Sequence, residues 1–477
     1  LKRERHAIAR VQRRRAFYEQ DEAVIRSLAN WDIRSQTLFV GDSPRQYIID
    51  PLASRIAEGY GDFLFGEDVE IEPAAVDGVE NANDHAFLES IVDENHLEAE
   101  LWTAETRCIS EGEVWWHVYV DREVADVPLV EWVSRTSVTP LYRGNRLLAC
   151  AFVTLVAEVG EGSDERYYRL AEIHADGIVV NALYIGTRDK LGQRVELTAL
   201  PLTESLMPEW MTGLPMLAGV VKNGFNIRGN LGFSEYDRIE SLLLELNEAR
   251  TIGSENARLT AKKRLFANSS ILATDSSGGN AFPVGEDIIL TDTGGGPIGG
   301  GSDKPPVTAV EYSFDALPLI AHTQEVERTI LSRVGLVPQF IGTDVQGSSD
   351  SGTALRLRFL PTVNAARAKS REWESKLPLI MMLAMLVDQM PLEMGGFGRE
   401  YFTAGLRPSV KLGSVLPTDD AEQVRNTSLA VSSEIMSRET AISEQHPEWD
   451  KAAVLEEIDR IQQDLSGEPV VLPPAVQ

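Results

Sequence analysis

Three patterns of apolar and polar positions divide the chain. Up to about residue 111, apolar residues recur at helical spacing. A basic, leucine-poor stretch opens the chain (LKRERHAIARVQRRRAFYEQDEAVIRSLANW) and predicts a helical arm that docks on something else rather than folding alone. A second helical stretch begins at Asp50-Pro51, and a third runs from about His85 to Ser110. After Gly112 the period drops to two: Val114, Trp116, Val118 and Val120 alternate with polar or partly exposed positions, which predicts a strand. Further strands are expected at Leu129–Val133, Leu147–Val156, Tyr167–His174 and Ile178–Tyr184. Asp176-Gly177 between the last two is a two-residue hairpin signal.

Beyond Asn223-Gly224 the helical period returns. Ser234 is followed three residues on by Asp237, a variant capping box, and Ile239, Leu242, Leu243, Leu246, Ala249 and Ile252 lie at helical spacing. Without proline, and with Gly253 alone, Ser234–Phe266 predicts one helix of about 33 residues and about 50 Å, closed by the basic cluster Lys262-Lys263-Arg264. Residues 267–313 read as short strands broken by glycine. A second helix is expected from Ala316 to Val334, followed by the polar, glycine-rich loop VPQFIGTDVQGSSDSG. A third, from Thr353 to Met390, contains Pro361 and Pro378, each expected to kink or break it. A short β segment (SVKLGSVLP) leads to an acidic helical tail beginning at Pro417-Thr418-Asp419-Asp420. The fold class is α+β.

Composition narrows the functions. The 477 residues allow about three domains and a core that needs no staple. Cys108 and Cys150 match no zinc or redox spacing and are expected to be reduced, packed thiols in a protein made in the cytosol. No apolar run reaches membrane length and no signal-peptide pattern occurs, so neither a span nor secretion is expected. Because the chain opens on Leu1 rather than Met, a few upstream residues are expected. The net charge is −28, yet the first fifteen residues carry seven Lys/Arg against one acid, which leaves −34 for the remainder. Bulk charge of this sign repels nucleic-acid phosphate, so an open, tightly binding DNA groove is excluded.

Candidate chemistry fails its tests. GGGPIGGGSDK lacks the lysine of a Walker loop, since Gly301 is followed by Ser302-Asp303, and reads as a flexible turn. His6, His85, His96, His117, His174, His322 and His446 form no HExxH or HxH, so no metal site or cofactor is expected, and His117 reads as a packed or surface histidine. No G-x-S-x-G occurs, and Asp419-Asp420 and Glu456-Glu457 read as solvated helix faces. No catalytic residue is expected. Arg328 and Arg333, with Lys262, Lys263 and Arg264, stand out only because they lie on the two helices flanking the glycine-rich insert.

In this order of parts the chain resembles the portal proteins of tailed bacteriophages, rings through which double-stranded DNA enters and leaves a capsid. The likeness rests on GLPMLAGVVKN (213–223), SEYDRIESLLLELNEARTIGSENARLTAKK (234–263), a β-rich insert, a second helix, VPQFIGTDVQGSSDSGTALRLRFLP (337–361) and TAISEQHPEWDKAAVLEEIDRI in the acidic tail. The run SGTALR (351–356) after a polar loop and before a long helix is the most telling piece. Beside the basic arm at 1–45, which is read from its charge, the resemblance implies a β-rich wing over 46–232 with a return segment in 391–417. It implies stem helices at 233–266 and 314–335 and a small α/β clip at 267–313. A tunnel loop at 336–351, a long kinked helix at 352–390 and a helical crown over 418–477 complete the ring subunit.

It further implies a homo-oligomer of twelve subunits at one capsid vertex of the virion, made in the host cytoplasm. Implied partners are double-stranded DNA (non-specific and transient), the terminase large subunit, a head-to-tail adaptor, and major capsid and scaffolding proteins, with no membrane and no cofactor. On this reading Arg328, Arg333, Gln346, Gly347, Ser348 and Ser349 face the channel, and Lys262, Lys263 and Arg264 end the stem near the clip. Small polar loop groups can follow a duplex groove without reading bases. Two other classes compete with this reading: an enzyme of the packaging machinery (nuclease or ATPase), disfavoured by the missing Walker loop and carboxylate cluster, and a monomeric acidic scaffold.

Overall fold

The computed structural model describes residues 2–38, 46–75, 81–160, 165–224, 231–261, 264–267, 273–274, 280–281, 289–290, 307–310, 315–341, 352–413, 427–433, 435–446, 449 and 451–466. Two compact units emerge: Leu1–Gly347 with Arg358–Gly413, and Ser348–Leu357 with Ser414–Gln477. The architecture is α+β.

The first unit opens with helices α1 (Lys2–Glu19), α2 (Glu22–Leu28), α3 (Trp31–Leu38) and α4 (Leu52–Phe65), strand β1 (Glu70–Glu72), and helices α5 (Ala82–Glu94) and α6 (Leu97–Glu111). Short polar side chains start these helices: Asp21 accepts the Val24 N–H at the head of α2, and Asn81 accepts the Asn83 N–H at the head of α5. Gly112 closes α6 at φ +99°, where a Cβ would stand 2.8 Å from the Ser234 nitrogen. Only glycine fits that turn.

Two antiparallel sheets follow. Strands β2 (Glu113–Tyr119) and β3 (Leu129–Ser134) form one with β10 (Ala218–Lys222), in the order β10-β2-β3. Strands β4 (Val138–Arg143), β5 (Arg146–Val159), β6 (Arg166–Ala175), β7 (Ile178–Thr187) and β8 (Lys190–Val195) form the other in sequence order, and β9 (Glu209–Met211) pairs with β7. The Asp176-Gly177 turn sits where expected, with Ala175 opposite Ile178 and Gly177 at φ +78°. One expectation needs correcting. Strand β2 does not alternate between buried and exposed: every position except Tyr119 is buried. As the central strand it packs on α6 on one side, while Trp115 joins Val138, Cys150 and Phe152 of the second sheet on the other. Strands β4, β8, β9 and β10 were not foreseen.

After the short helix α7 (Pro201–Glu204) comes α8 (Tyr236–Ala261), which packs against α9 (Leu317–Val334). The expected helix to Phe266 ends at Ala261, and Arg264–Ala267 is instead strand β11. Its four residues pair antiparallel with β15 (Val307–Val310) and, at Arg264 and Leu265, parallel with β14 (Ile289–Leu290). These ladder bonds replace the continuing helical ones. Strands β12 (Ala273–Thr274) and β13 (Asn280–Ala281) pair with each other. The insert over 267–313, expected as α/β, holds strands only among its described residues.

Helix α10 (Gly352–Gln389) is a single helix that keeps both Pro361 and Pro378 inside it, so neither proline breaks it. An internal proline costs about 3 kcal/mol. In the second half that cost is offset by burial of Trp373, Leu377, Ile380, Met381, Leu383, Met385 and Val387, since each large side chain contributes about 1.5–3 kcal/mol. Strand β16 (Ser409–Lys411) returns to pair with β1, setting Glu70 opposite Lys411.

In the second unit, a short helix over 427–432 (α11) precedes α12 (Arg438–Gln445) and α13 (Lys451–Ser466), which pack on each other. Ser437 caps α12 by accepting the Thr440 N–H. No described helix is long and apolar enough to cross a membrane.

Candidate functional site

Helices α8 and α9 form an antiparallel pair: the Arg333 guanidinium donates to the Arg238 carbonyl at 3.2 Å, Arg250 pairs with Glu327, and Gly253 lies against Leu319. A Cβ at Gly253 would stand 2.9 Å from the Leu319 side chain, so the glycine sets how closely the helices approach. Chain leaves the pair at Ala261, runs through the strands of 264–310, and returns at Leu317.

The opposite end of the pair is rooted on helices α4 and α10. Tyr236 donates to the Ala53 carbonyl at 2.6 Å, and Tyr60 of α4 donates to the Val334 carbonyl at the end of α9. Lys369 of α10 donates to Glu235 at 2.6 Å and Asn223 at 2.5 Å, with its ammonium over the Tyr60 ring. Nearby, buried Glu105 accepts the Trp373 indole N–H at 2.6 Å. Burial pushes Glu105 up to about 7, although Lys369 and Trp373 draw it down.

The basic arm docks here as well, on its own chain. Arg10 and Arg14 share Asp237, at 2.8 Å from the Arg10 Nη2 and 3.0 Å from the Arg14 Nε. Arg13 pairs with Glu240, and Arg15 with buried Glu111 at 2.5 Å. Asp237, read from the sequence as part of a capping box, thus receives the arm's guanidiniums, while Ser234 alone caps by accepting the Tyr236 N–H.

Of the residues expected to face a channel, Arg328 and Arg333 both lie on α9 and are exposed. Five positions apart at 100° each, they point about 140° away from one another around the helix axis. They therefore do not share a face. Gln346, Gly347, Ser348 and Ser349 lie outside the described residues, as do Lys262, Lys263, the Asp419-Asp420 pair and the GGGPIGGGS stretch. Arg264, expected at a helix end, sits in β11. Cys108 and Cys150 are free and buried.

Between the two sheets lies a polar cluster that no linear motif announces. His117 of β2 approaches Glu172 through Nδ1 at 3.0 Å and Glu131 through Nε2 at 2.9 Å. The Nε2 of His174 meets the same Glu172 oxygen. The imidazole of His117 stacks on Phe152 at 4.3 Å and on Tyr119 at 5.2 Å between centroids. Burial alone would pull His117 down, but Glu172 and Glu131 more than offset it and hold its pKa at about 9. Burial would raise Glu172, yet His117 and His174 keep it below the usual carboxylate range; His174 is lowered, with burial outweighing Glu172. The pairing joins residues 55 positions apart across two sheets, a separation no linear motif captures. Only the Glu172-x-His174 spacing, which sets both on one strand face, could have hinted at it.

No family model matches the chain, and no curated protein matches it either. Among solved structures, the chain is similar to one in the neck of an empty gene transfer agent particle computed with C6 symmetry (TM-score 0.45, 10% identity, 83% of this chain and 89% of that one). It is also similar to chains in the neck of the native particle computed with C12 symmetry (TM-score 0.39, 11% identity, 82% and 88%) and in the virion of the native gene transfer agent (TM-score 0.39, 11% identity, 80% and 85%).

Proposed function

We propose that this chain is the subunit of a portal ring, a non-enzymatic conduit through which double-stranded DNA passes at one vertex of a phage-type particle. The observation that carries the reading is the antiparallel pair α8/α9, rooted in a folded wing at one end and interrupted by a strand-rich excursion at the other. The ordered sequence blocks at 213–263 and 337–361 support it. So does the charge: the body is acidic, and Arg10, Arg13, Arg14 and Arg15 of the arm are taken up by Asp237, Glu240 and Glu111. DNA that must slide is served by a surface that holds it weakly, and each exposed arginine contact is salt-sensitive.

On this reading Arg328, on the exposed side of α9, is the stem's channel arginine, while Arg333 ties α9 to α8. The loop residues Gln346 to Ser349 would follow the duplex, and the strand excursion would meet the motor and the adaptor. Exposed Leu317 and Ile320 on α9 suit burial against a neighbouring subunit. Imaging of assembled protein down its axis tests the proposal. Closed rings of about twelve subunits with a central hole wide enough for a duplex are expected, formed alone or with the capsid partners. Monomers under both conditions overturn it.

A further inference from the structure

The cluster between the two sheets has the make-up of a metal site. Two imidazoles and a carboxylate present ligand atoms that all lie within 4.8 Å of one another. His117 and His174 are 5% and 0% exposed, so the donors are shielded from bulk water. Tetrahedral coordination at about 2.0–2.1 Å from each donor needs ligand atoms about 3.4 Å apart. The Nδ1 of His117 already stands 3.0 Å from Glu172, so on that edge the spacing is within a few tenths of an ångström of the requirement.

Two further features fit a bound ion better than packing alone. The remote nitrogen of His117 faces Glu131 at 2.9 Å, the carboxylate–histidine arrangement that orients metal-bound imidazoles. Stacking on Phe152 and Tyr119 fixes the plane of that ring. Charge agrees too, because two carboxylates balance one divalent cation. The side chain of Glu131 is 55% exposed and marks the way in.

We propose that His117 Nδ1, His174 Nε2 and a Glu172 carboxylate oxygen bind a divalent transition-metal ion of the zinc class, with Glu131 holding His117 from behind and water completing the coordination. Two nitrogens and one oxygen suit zinc or cobalt rather than magnesium or calcium, which demand oxygen ligands. Such an ion would bolt β2 of the three-stranded sheet to β6 of the other, a structural role independent of the ring reading.

The test uses the full, untagged chain, stripped with a chelator and titrated with Co²⁺ and Zn²⁺ at pH 8. One equivalent of Co²⁺ is expected to give visible d–d absorption of four- or five-coordinate type that Zn²⁺ displaces, with a melting temperature that rises with ion concentration. Glu172→Gln, which preserves the size of the side chain, should abolish the band. The exposed Glu131→Gln should keep it while weakening affinity about 10–100-fold. His322→Gln, remote from the cluster, should bind as the parent does. Absence of the band and of stabilisation in the parent overturns the proposal. So does a band of full strength in folded Glu172→Gln, which would assign the ion to another site.

Discussion

The two halves of the α8/α9 pair are built differently. Near the root, Tyr236, Ile239, Leu243 and Leu246 meet Ile330, Leu331 and Val334 in one core with Phe17, Trp31, Ile56 and Tyr60, and each of these side chains is buried. Toward the excursion, Leu317 and Ile320 are 73% and 50% exposed, and the lateral contacts are surface ion pairs such as Arg250–Glu327. The root is finished within one chain, and the distal half is not. The apolar packing that stabilises the fold and the large apolar side chains left uncovered therefore lie in separate stretches of the same two helices.

Substitutions should split along that line. The largest effect is expected from Asp237→Ala, which strands Arg10 and Arg14; Arg14 is buried, and breaking such a pair costs about 3–5 kcal/mol. A lower denaturation midpoint and protease-sensitive arm would report it, whereas a midpoint within error of the parent would mean that the arm does not stabilise the root. Ile330→Ala should cost about 2–5 kcal/mol, while Leu317→Asp, at the other end of α9, should change subunit stability by less than about 0.5 kcal/mol and still reduce assembly. Equal effects on stability at both positions would erase the distinction.

Glu105→Gln probes the root by pH. Its native pKa, about 7, lies above the ordinary carboxylate value, so the folded state holds the extra proton and the parent loses stability as pH rises from about 4.5 to 7. The glutamine variant lacks that loss and keeps the Trp373 bond. Its advantage over the parent should grow across this window and level off above it in parallel denaturation series; a constant difference would refute the assignment. The smallest effect on folding belongs to Arg328→Glu, which should leave ring assembly and melting unchanged while lowering DNA packaging. Arg333→Glu should instead loosen the pair through its lost bond to the Arg238 carbonyl. Unaltered packaging in Arg328→Glu would remove that residue from the DNA path.

Much of this frame was legible beforehand because it is local. The heptad-like spacing of Ile239, Leu243 and Leu246, the glycine after Val334 and the Asp176-Gly177 turn each act through neighbours in sequence. What escaped reading depends on distant partners. The helix ends at Ala261 because β14 and β15 claim Arg264 and Leu265, and Pro378 survives inside α10 because the surrounding side chains bury so much apolar surface. The leucine-poor arm is expected to dock, but its acceptor on the same chain, Asp237, lies more than 200 residues away and leaves no trace in the local sequence. His117 and His174 met for the same reason: two sheets, not one motif, bring them together.

The length of α8 has a mechanical consequence. Its 26 residues span about 39 Å, so a tilt of about five degrees at the end held by Lys369, Glu235 and Asn223 would swing the far tip by about 3 Å. The pair is a lever held at its root by the Lys369 ammonium together with Tyr236, Tyr60 and the arm's arginines on Asp237, and any force felt by the strands at its tip is delivered, magnified, to those fixing points.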